Sequence, residues 1–424
     1  MNAPDMQRVR MSLPHFEEFG WRPYVLAAEA TGSEVLEPLL LRTLPADVRV
    51  ERVKPLSASM MRTVGIGNLA LRALPALYAA GARLITDEHI DLVYFSTTMF
   101  LAMPLGRVWK RRFGTPFVLD FQDPWLSDYY ETHPDTPPPA KYFAARRLNA
   151  MLEPWTLARV DGIVSVSPDY VSSLRRRYPR LRDVPCATLP FGASDTDFDL
   201  LEQFPQANRH FDKGNGHVNG VYVGRGGEDL AVALEILFRA LSRGLESAPD
   251  AFKRVALHFI GTDYATDQRA RKTVEPVADR AGVRSQVSED TRRAPYFEAL
   301  QLLRDADFLV VVGSDDPAYT PSKIYPYILA RKPLVAIVHE RSTLVDVLRE
   351  THAGLVVTFS SRPGEDDKRA AVESLVAGLA GILGNPSRPD TDWSAFEQYT
   401  AREMTRRQCE LLDAALEHSN REVS

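Results

Sequence analysis

The sequence has few cysteines, no large excess of charge of one sign and no long apolar run. Its two cysteines, Cys186 and Cys409, lie far apart without metal-ligand or CxxC spacing, which argues against a disulfide scaffold and a thiolate zinc site. A net charge of −5 gives the chain no electrostatic footprint for nucleic acid. No run approaches the ~18 apolar residues that cross a bilayer, and the start, MNAPDMQRVR, lacks the apolar core of a signal peptide. We therefore expect a cytoplasmic protein that binds no nucleic acid.

What is present is typical of a globular enzyme with more than one domain. The chain has 424 residues, of which 45% are hydrophobic and 25% charged. A single hydrophobic core rarely grows beyond ~250–300 residues, so at least two domains are expected. Disorder and fibrous repeats are excluded by the same composition.

Short apolar runs alternate with amphipathic helical stretches, which is the pattern of parallel sheets covered on both faces. The first half predicts strands near 24–28, 92–95, 117–119, 163–166 and 186–189. The second half predicts strands in VNGVYVG, VALHFIG, VRSQV, DFLVVVG, PLVAIV and GLVVTF. The pattern predicts an α/β protein with domains at 1–203 and 204–388, joined by a polar linker around 199–217, and a C-terminal crossover helix in 389–424 that packs back toward the first domain.

The start of the chain differs from that of a doubly wound domain, which usually begins with a central strand and a Gly-rich turn. Val9, Leu13 and Phe16 have helical spacing, whereas Val9, Met11 and Leu13 could instead alternate as a short strand, and Pro14 weakens the helix. We expect that the first strand is absent or that the true start lies upstream.

The strongest candidate site follows the run DFLVVVG in the second half. Thr320 is a suitable N-cap and Pro321 suits the first helical position, so a helix is expected to open there with unpaired backbone N–H groups. Ser322 and Lys323 would lie in its first turn, where a cation is unfavourable unless an anion is bound. The segment therefore predicts a phosphate site, with a solvated surface lysine as the alternative.

A second phosphate candidate lies in VYVGRGGEDL. A strand is expected to lead into Gly224, Arg225, Gly226 and Gly227, and a helix to follow them. Glycines let the backbone approach a phosphate closely, and Arg225 could bind it in bidentate fashion. The alternative is a tight strand-to-helix turn with an exposed arginine.

The candidate acceptor side lies in FVLDFQDPWLSDYY. Asp120, Asp123 and Trp125 follow a predicted strand, at the end where open α/β sheets bind ligands. Asp123 precedes Pro124 and is expected on a turn. Contacts to acceptor hydroxyls, with Trp125 as a stacking face, are the prediction; a loop-capping carboxylate and a core tryptophan are the alternative.

These segments, in this order, resemble the family 4 glycosyltransferases and their close relatives over residues 7 to 420. DFQDPW resembles DFRDPW of their acceptor domain, and IVSVSPDYVSSL resembles the strand and helix that follow. LPFGASDTDF resembles the PNGxD segment, and SKIYPYILARKPLVAI resembles the KxxEYxxxGKPxxA helix of the nucleotide-sugar domain.

The resemblance implies the GT-B fold, in which two Rossmann-like, doubly wound domains face a cleft. It also implies a metal-independent, retaining hexosyltransferase without a cofactor, acting in surface polysaccharide or glycolipid synthesis. Arg225 and Lys323 would neutralise the leaving diphosphate, with Asp123 on the acceptor side. Ser322 and Tyr327 would join the nucleotide-sugar contacts.

The chain departs from the family pattern at three positions. The glutamate that holds the ribose falls at Pro326, the other glutamate of the EX7E pair at Ala318, and the helix glycine at Arg331. Three explanations stay open: Glu289 or Asp263 replaces the ribose contact, which we rank first; the nucleotide sugar differs; or catalysis is weakened.

Other polar strings receive no catalytic assignment. The DxD-like strings in GASDTDF and GSDDP would bind a metal–diphosphate only in a different glycosyltransferase architecture, so no essential divalent metal is predicted. His89 and His133 match no motif. Partners expected are a nucleotide sugar and a saccharide or lipid-linked acceptor.

Basic clusters with neighbouring aromatics occur in the first half, at 109–114, at Arg146 and Arg147, and at 173–182. They indicate either a peripheral contact with the anionic inner face of a membrane or solvated helix faces. Two further functions stay open beside glycosyl transfer. One is a nucleotide-sugar epimerase of the same fold, and the other is a non-catalytic scaffold protein.

Overall fold

The computed structural model describes residues 4–29, 37–63, 67–126, 138, 142–214, 216–263, 269–316, 322–385 and 387–423. The chain divides into two compact units. Unit 1 comprises Met1–Gly192 and Ala401–Ser424, and unit 2 comprises Ala193–Thr400.

Unit 1 contains two parallel sheets. Strands β1 and β2 form a two-stranded sheet, and β3 to β6 form a four-stranded sheet in sequential order. All five residues of β4 are buried, as expected for an apolar run in the interior of a parallel sheet. The strands are β1 Tyr24–Ala28, β2 Arg49–Val53, β3 Val93–Ser96, β4 Phe117–Phe121, β5 Gly162–Ser165 and β6 Cys186–Thr188.

Unit 2 contains one six-stranded parallel sheet with the order β12-β11-β10-β7-β8-β9. The first strand, β7, is central, and the chain adds strands on one side of it before returning to add β10 beside it. This is the doubly wound arrangement, whose ligand crevice lies where the strand order reverses, here beyond the carboxyl ends of β7 and β10. The strands are β7 Val218–Val223, β8 Val255–Ile260, β9 Val287–Asp290, β10 Phe308–Val312, β11 Leu334–His339 and β12 Leu355–Phe359.

Helices cover the sheets of both units. Unit 1 contains α1 Pro4–Ser12, α2 Ala58–Thr63, α3 Leu69–Asp87, α4 Pro104–Phe113, α5 Tyr142–Leu157, α6 Pro168–Arg177 and the C-terminal α16 Ala401–Val423. Unit 2 contains α7 Asp195–Gln203, α8 Ala231–Ser247, α9 Pro249–Phe252, α10 Glu275–Arg280, α11 Tyr296–Asp305, α12 Ile324–Leu329, α13 Thr343–Thr351, α14 Glu365–Gly384 and α15 Trp393–Phe396. Among the described residues, no helix combines the length and apolar composition needed to cross a bilayer.

The predicted α/β fold with two parallel-sheet units is confirmed, and so is the packing of the C-terminal helix on the first unit. Helix α16 contacts α1, and Ser12 Oγ donates a hydrogen bond to Gln408 Oε1 at 3.2 Å. The unit boundaries differ from the predicted ones. Helix α7 lies in unit 2, where Tyr296 Oη donates to Asp197 Oδ2 at 2.6 Å, and α15 lies in unit 2 as well.

The segment at Val9 is the helix α1, in agreement with the helical spacing and not with the short strand kept as the alternative. Two features of the sequence prediction need correction. VRSQV is a 3₁₀ turn at Arg284–Gln286 that leads into β9. The strand β2, RVERV, was missed because its charged residues conceal the apolar pattern.

Candidate functional site

The reversal point of unit 2 brings the two predicted phosphate segments together. Gly224 follows directly on β7 and Lys323 lies just before α12. A Cβ atom on Gly224 would lie 2.5 Å from Lys323 Nζ, so the lysine chain passes over this glycine and any larger residue would displace it. The structure therefore places the two separately predicted phosphate segments at one edge of the sheet.

The glycine turn is held by internal hydrogen bonds. The N–H of Gly224 donates to the Ile260 carbonyl at 2.9 Å, and the N–H of Gly226 donates to the Thr262 carbonyl at 2.7 Å. The N–H of Gly227 donates to Thr273 Oγ1 at 3.1 Å. The N–H groups of the three glycines, where the backbone was predicted to approach a phosphate, thus already donate hydrogen bonds to acceptors within unit 2. Glycine is required at 226 because a Cβ would lie 2.5 Å from Thr273 Oγ1.

Arg225 is paired with Asp229, a residue that the sequence analysis missed. Its Nη1 and Nη2 atoms lie 2.8 and 2.6 Å from Asp229 Oδ1 and Oδ2, which is a bidentate arrangement. Burial opposes ionisation of Asp229, but hydrogen bonds from Arg225 and Ser314 outweigh it and lower the pKa of the carboxyl. The fork of Arg225 that was predicted to hold a phosphate is occupied by Asp229. The acid four residues after Arg225 in the string RGGED would have allowed this ion pair to be predicted from the sequence.

Lys323 is a half-buried cation, and the described residues place no negative charge beside it. Its Nζ donates to Tyr222 Oη at 2.5 Å and lies 3.8 Å from the centre of the Tyr222 ring. Tyr222 Oη in turn donates to the Arg225 carbonyl at 2.7 Å. Among the described residues, no carboxylate lies within ion-pair distance of Lys323. Burial, with repulsion from Arg225 added, lowers the pKa of Lys323 well below 10.5.

The helix after Lys323 begins later than predicted. Helix α12 starts at Ile324, with Ser322 and Lys323 in the turn before it, while Thr320, Pro321 and Ala318 lie outside the described residues. Tyr327 is 1% exposed, and its hydroxyl bonds to both the N–H and the carbonyl of Val223 at 2.7 and 3.1 Å. Tyr327 therefore fastens α12 to the end of β7 and does not present its hydroxyl to a ligand.

The residue at the family's glycine position keeps the backbone geometry of a glycine. Arg331 has φ 55°, in the left-handed region that non-glycine residues seldom adopt. Its guanidinium carbon lies 4.6 Å from the centre of the Trp393 ring. This stacking offsets part of the strain, which explains how an arginine replaces the glycine.

Glu289 does not fit the ribose role that the sequence suggested for it. Its carboxylate is 5% exposed and accepts from Thr262 Oγ1 at 2.7 Å. It also accepts the backbone N–H groups of Thr273, Val274 and Glu275 at 2.9–3.1 Å. These four bonds use the capacity of the two oxygens, so Glu289 fixes the start of α10.

Asp263, the other candidate for the ribose contact, lies on the loop after β8. Its Oδ2 accepts the N–H of Arg271 at 2.6 Å, across a loop whose residues 264–268 lie outside the described ones. The structure thus gives this carboxylate a loop contact at one oxygen.

In unit 1, Asp120 is buried at the end of β4. Its Oδ2 accepts from Arg8 Nε at 3.3 Å, Tyr94 Oη at 3.0 Å, Ser96 Oγ at 3.2 Å and Gln122 Nε2 at 2.8 Å. Its Oδ1 is buried and has no hydrogen-bond partner among the described residues. The predicted contact of Asp120 with an acceptor hydroxyl is therefore replaced by an internal network.

Arg8 completes this network from the first helix, and nothing in its sequence context indicated it. It is 3% exposed, and its Nη1 and Nη2 donate to the carbonyls of Pro190 and Leu189 at 2.9 and 2.6 Å. Its guanidinium carbon lies 4.8 Å from the centre of the Phe191 ring. Helix α1 thus places a cation beside β4 and the segment after β6.

Trp125 lies in the core of unit 1, whereas Asp123 lies at its surface. Trp125 is 4% exposed and stacks on Phe100 with ring centres 5.6 Å apart, so it does not present a ring face to an acceptor. Asp123 is exposed on the turn after β4. Partial burial raises the pKa of the Asp123 carboxyl. His133 lies outside the described residues.

The described residues contain no group of three or more His, Cys, Asp or Glu side chains that could hold a metal ion. Of the DxD-like strings, Asp197 is 1% exposed and bonded to Tyr296.

The chain was compared with protein families, curated proteins and solved structures. Residues 7–192 match the model of the glycosyl transferase 4-like domain. A search of curated proteins gave no match.

Among solved structures, HepE of Anabaena, crystallised with UDP, matches with 16% identity over 97% of this chain and 96% of that chain, with a TM-score of 0.55. A glycosyltransferase of Rickettsia africae matches with 12% identity, 97% and 94% coverage and a TM-score of 0.55. A UDP-forming trehalose-phosphate synthase of Burkholderia xenovorans matches with 15% identity, 95% and 99% coverage and a TM-score of 0.52.

At such identities the structural matches establish the fold alone, which is the α/β fold of the GT-B glycosyltransferases with a parallel sheet in each of two units. The match of residues 7–192 to the glycosyl transferase 4-like domain bears out the prediction that the chain is a glycosyltransferase.

Proposed function

We propose that the protein transfers a hexose from a nucleoside-diphosphate sugar to a saccharide or lipid-linked acceptor, with retention of configuration and without an essential divalent metal. A uridine nucleotide is the first candidate, because HepE of Anabaena was crystallised with UDP and with UDP-glucose. The proposal includes a role in polysaccharide or glycolipid synthesis. It also includes a cytoplasmic location, with unit 1 in peripheral contact with an anionic membrane.

The observation that carries this proposal is the environment of Lys323. An ammonium group that is partly withdrawn from water loses solvation, and an anion can compensate for that loss. Lys323 has only the Tyr222 hydroxyl and ring as close described partners, with Arg225 adding positive charge. A diphosphate would supply the missing negative charge at the reversal point of the sheet, where doubly wound folds bind ligands.

Lys323 would act on the leaving group. In the transfer, the bond from the anomeric carbon to the diphosphate oxygen breaks and a bond to the acceptor oxygen forms. Negative charge grows on the diphosphate, and a preorganised cation in a dry site stabilises that charge. Arg225, held by Asp229, would add to the positive potential from a fixed position.

For the other predicted site residues, we propose roles that fit their positions in the structure. On the acceptor side we propose Asp123, because its carboxylate is exposed and its pKa is raised, which suits a group that accepts the acceptor proton. Ser322 and the backbone of the glycine turn are proposed to shape the nucleotide-sugar site, and Asp263 is proposed as the remaining carboxylate for the ribose.

The test is calorimetric binding of UDP and UDP-glucose to the native chain, Lys323→Ala and Lys332→Ala. Lys332 is the matched control, a partly buried lysine of unit 2 whose neighbours include Asp307 and Asp305. Losing a charge-assisted hydrogen bond of about 1.5–3 kcal/mol should weaken binding about 10- to 100-fold in Lys323→Ala. Lys332→Ala should bind like the native chain.

Equal binding by Lys323→Ala would remove Lys323 from the site, and no nucleotide binding by the native chain would overturn the proposal. Turnover should persist in a chelator. A rearranged nucleotide sugar formed without any acceptor would indicate an epimerase instead.

A further inference from the structure

Helix α5 of unit 1 exposes a line of large apolar side chains. Phe143 is 71% exposed, Met151 is 67% exposed and Trp155 is 41% exposed. These residues lie on one i,i+4 row of the helix, and Arg147 occupies the remaining place in that row. Leu148, 39% exposed, lies beside the row. A soluble surface rarely groups so many large apolar residues without a partner.

Helix α4 extends this surface. Val108 is 36% exposed, and the guanidinium carbon of Arg107 lies 4.4 Å from the centre of the Trp155 ring. Arg107 also donates a hydrogen bond to the Trp155 carbonyl, which joins the two helices. We name as the α4–α5 face the residues Arg107, Val108, Phe143, Arg147, Leu148, Met151 and Trp155.

Positive charge surrounds this face. Burial, followed by repulsion from Arg159, Arg180 and Arg111, lowers the pKa of Arg107, which shows that these arginines are close together. Among the described residues of α4 and α5 the only acid is Glu153. Its side chain is 0% exposed and lies 2.7 Å from Arg177. The face therefore combines exposed apolar groups with cations that no exposed acid of these helices offsets.

We infer that the α4–α5 face docks on an anionic lipid surface. Phe143, Met151 and Trp155 would enter the boundary between headgroups and acyl chains, and the arginines would pair with lipid phosphates. A second copy of the chain fits less well, because a two-fold contact brings the same patch together from both sides and would oppose the arginines. The docking is argued from the α4–α5 face itself. Its role, which is to bring the protein to a lipid-linked acceptor, rests on the proposed function.

The test is flotation of the full chain with two kinds of vesicle, phosphatidylcholine alone and equal parts of phosphatidylcholine and phosphatidylglycerol. The variants are Phe143→Ser/Met151→Ser and Arg147→Glu. The matched control is Leu41→Ser/Met60→Ser, because these side chains of unit 1 are 55% and 58% exposed and lie outside the α4–α5 face. Arg421→Glu, at the exposed end of α16, is the control for charge reversal.

The native chain and both controls should float with the anionic vesicles and stay in solution with the neutral ones. Each variant of the face should lower the partition coefficient about tenfold or more, because it removes two inserted side chains or reverses a charge. High salt should weaken binding of the native chain. Circular dichroism of the variants should match the native chain, since the substituted side chains are exposed.

Absence of binding to anionic vesicles, or variants that bind as the native chain does, would overturn the inference. So would a concentration-dependent dimer that the Phe143→Ser/Met151→Ser change abolishes, because the face would then belong to a second copy. No nucleotide is needed in this experiment. Failure of UDP binding therefore counts against the proposed transfer reaction, and failure of flotation counts against the membrane contact, including its place in the proposed function.

Discussion

Asp120 in unit 1, which is buried, and Lys323 in unit 2, which is half-buried, both lie near the carboxyl end of a parallel strand, but their surroundings differ. Asp120 Oδ2 is met by four hydrogen-bond donors, among them the buried cation Arg8. Lys323 is met by a phenol and its ring, with a second cation nearby. The first charge has its counter-ion inside the protein, whereas no described carboxylate pairs with the second, for which we propose a bound anion. We therefore use the balance of charge around a group to separate a structural charge from a candidate ligand-binding one.

The largest expected effect is on Asp120. Asp120→Ala should lower the free energy of unfolding by about 3–5 kcal/mol, because Arg8 would stay buried without its counter-ion. Urea unfolding monitored by circular dichroism measures this change. The double variant Arg8→Met/Asp120→Ala should recover part of the loss, since the unpaired charge is then gone.

Asp123→Ala is the control on the same turn and should change stability little, because this carboxylate is exposed. If Asp120→Ala were as stable as Asp123→Ala, the internal network would have no structural role. Asp120 would then return as a candidate for the acceptor contact.

The next effect concerns Glu289, which resembles Asp120 in having its oxygens used within the protein. Glu289→Gln should cost about 2 kcal/mol of unfolding free energy, because an amide nitrogen would face N–H groups that now find an acceptor. Binding of UDP by calorimetry should stay close to the native value. Glu397→Gln, exposed in unit 2, is the matched control. A selective loss of UDP affinity with unchanged stability would restore the ribose role.

The sequence predicted the fold well where apolar runs are continuous. The strands β7, β8, β10, β11 and β12 were recognised because a parallel strand covered on both faces is apolar throughout. The strand β2 was missed because Arg49, Glu51 and Arg52 alternate with its two valines. Each phosphate segment was predicted to follow a strand, but their meeting at one sheet edge is seen only in the folded chain.

The partners of the site residues could not be predicted. Tyr222 reads as one more apolar position of β7, and only the folded chain brings its hydroxyl to Lys323, 101 residues away. Arg8 and Asp120 are 112 residues apart. Glu289 was expected after a strand but lies within β9, and most of its hydrogen-bond donors come from an irregular loop without periodicity. Local patterns locate a residue along an element and do not reveal which distant groups satisfy its charge.

The smallest expected effect is on the stability of the protein without ligand, and it concerns Lys323. The folded-state pKa of Lys323 is lowered below its ordinary value of 10.5, so between these two pKa values the unfolded chain binds more protons than the folded one. Stability should therefore rise as pH rises through this window. In Lys323→Met this contribution should vanish, and at neutral pH the variant should be about 1 kcal/mol more stable than the native chain.

Affinity for UDP should change in the opposite direction over the same rise in pH, because the diphosphate binds the ammonium form. Calorimetry should show UDP binding weakening at a lower pH than an ordinary lysine would give, while Lys323→Arg, which stays protonated, should show no such weakening. A charge that is paired within the protein, like that of Asp120, stabilises the folded state without needing a ligand. If stability and UDP affinity moved in the same direction as Lys323 loses its proton, Lys323 would belong to that structural class, and the contrast between the two units would fail.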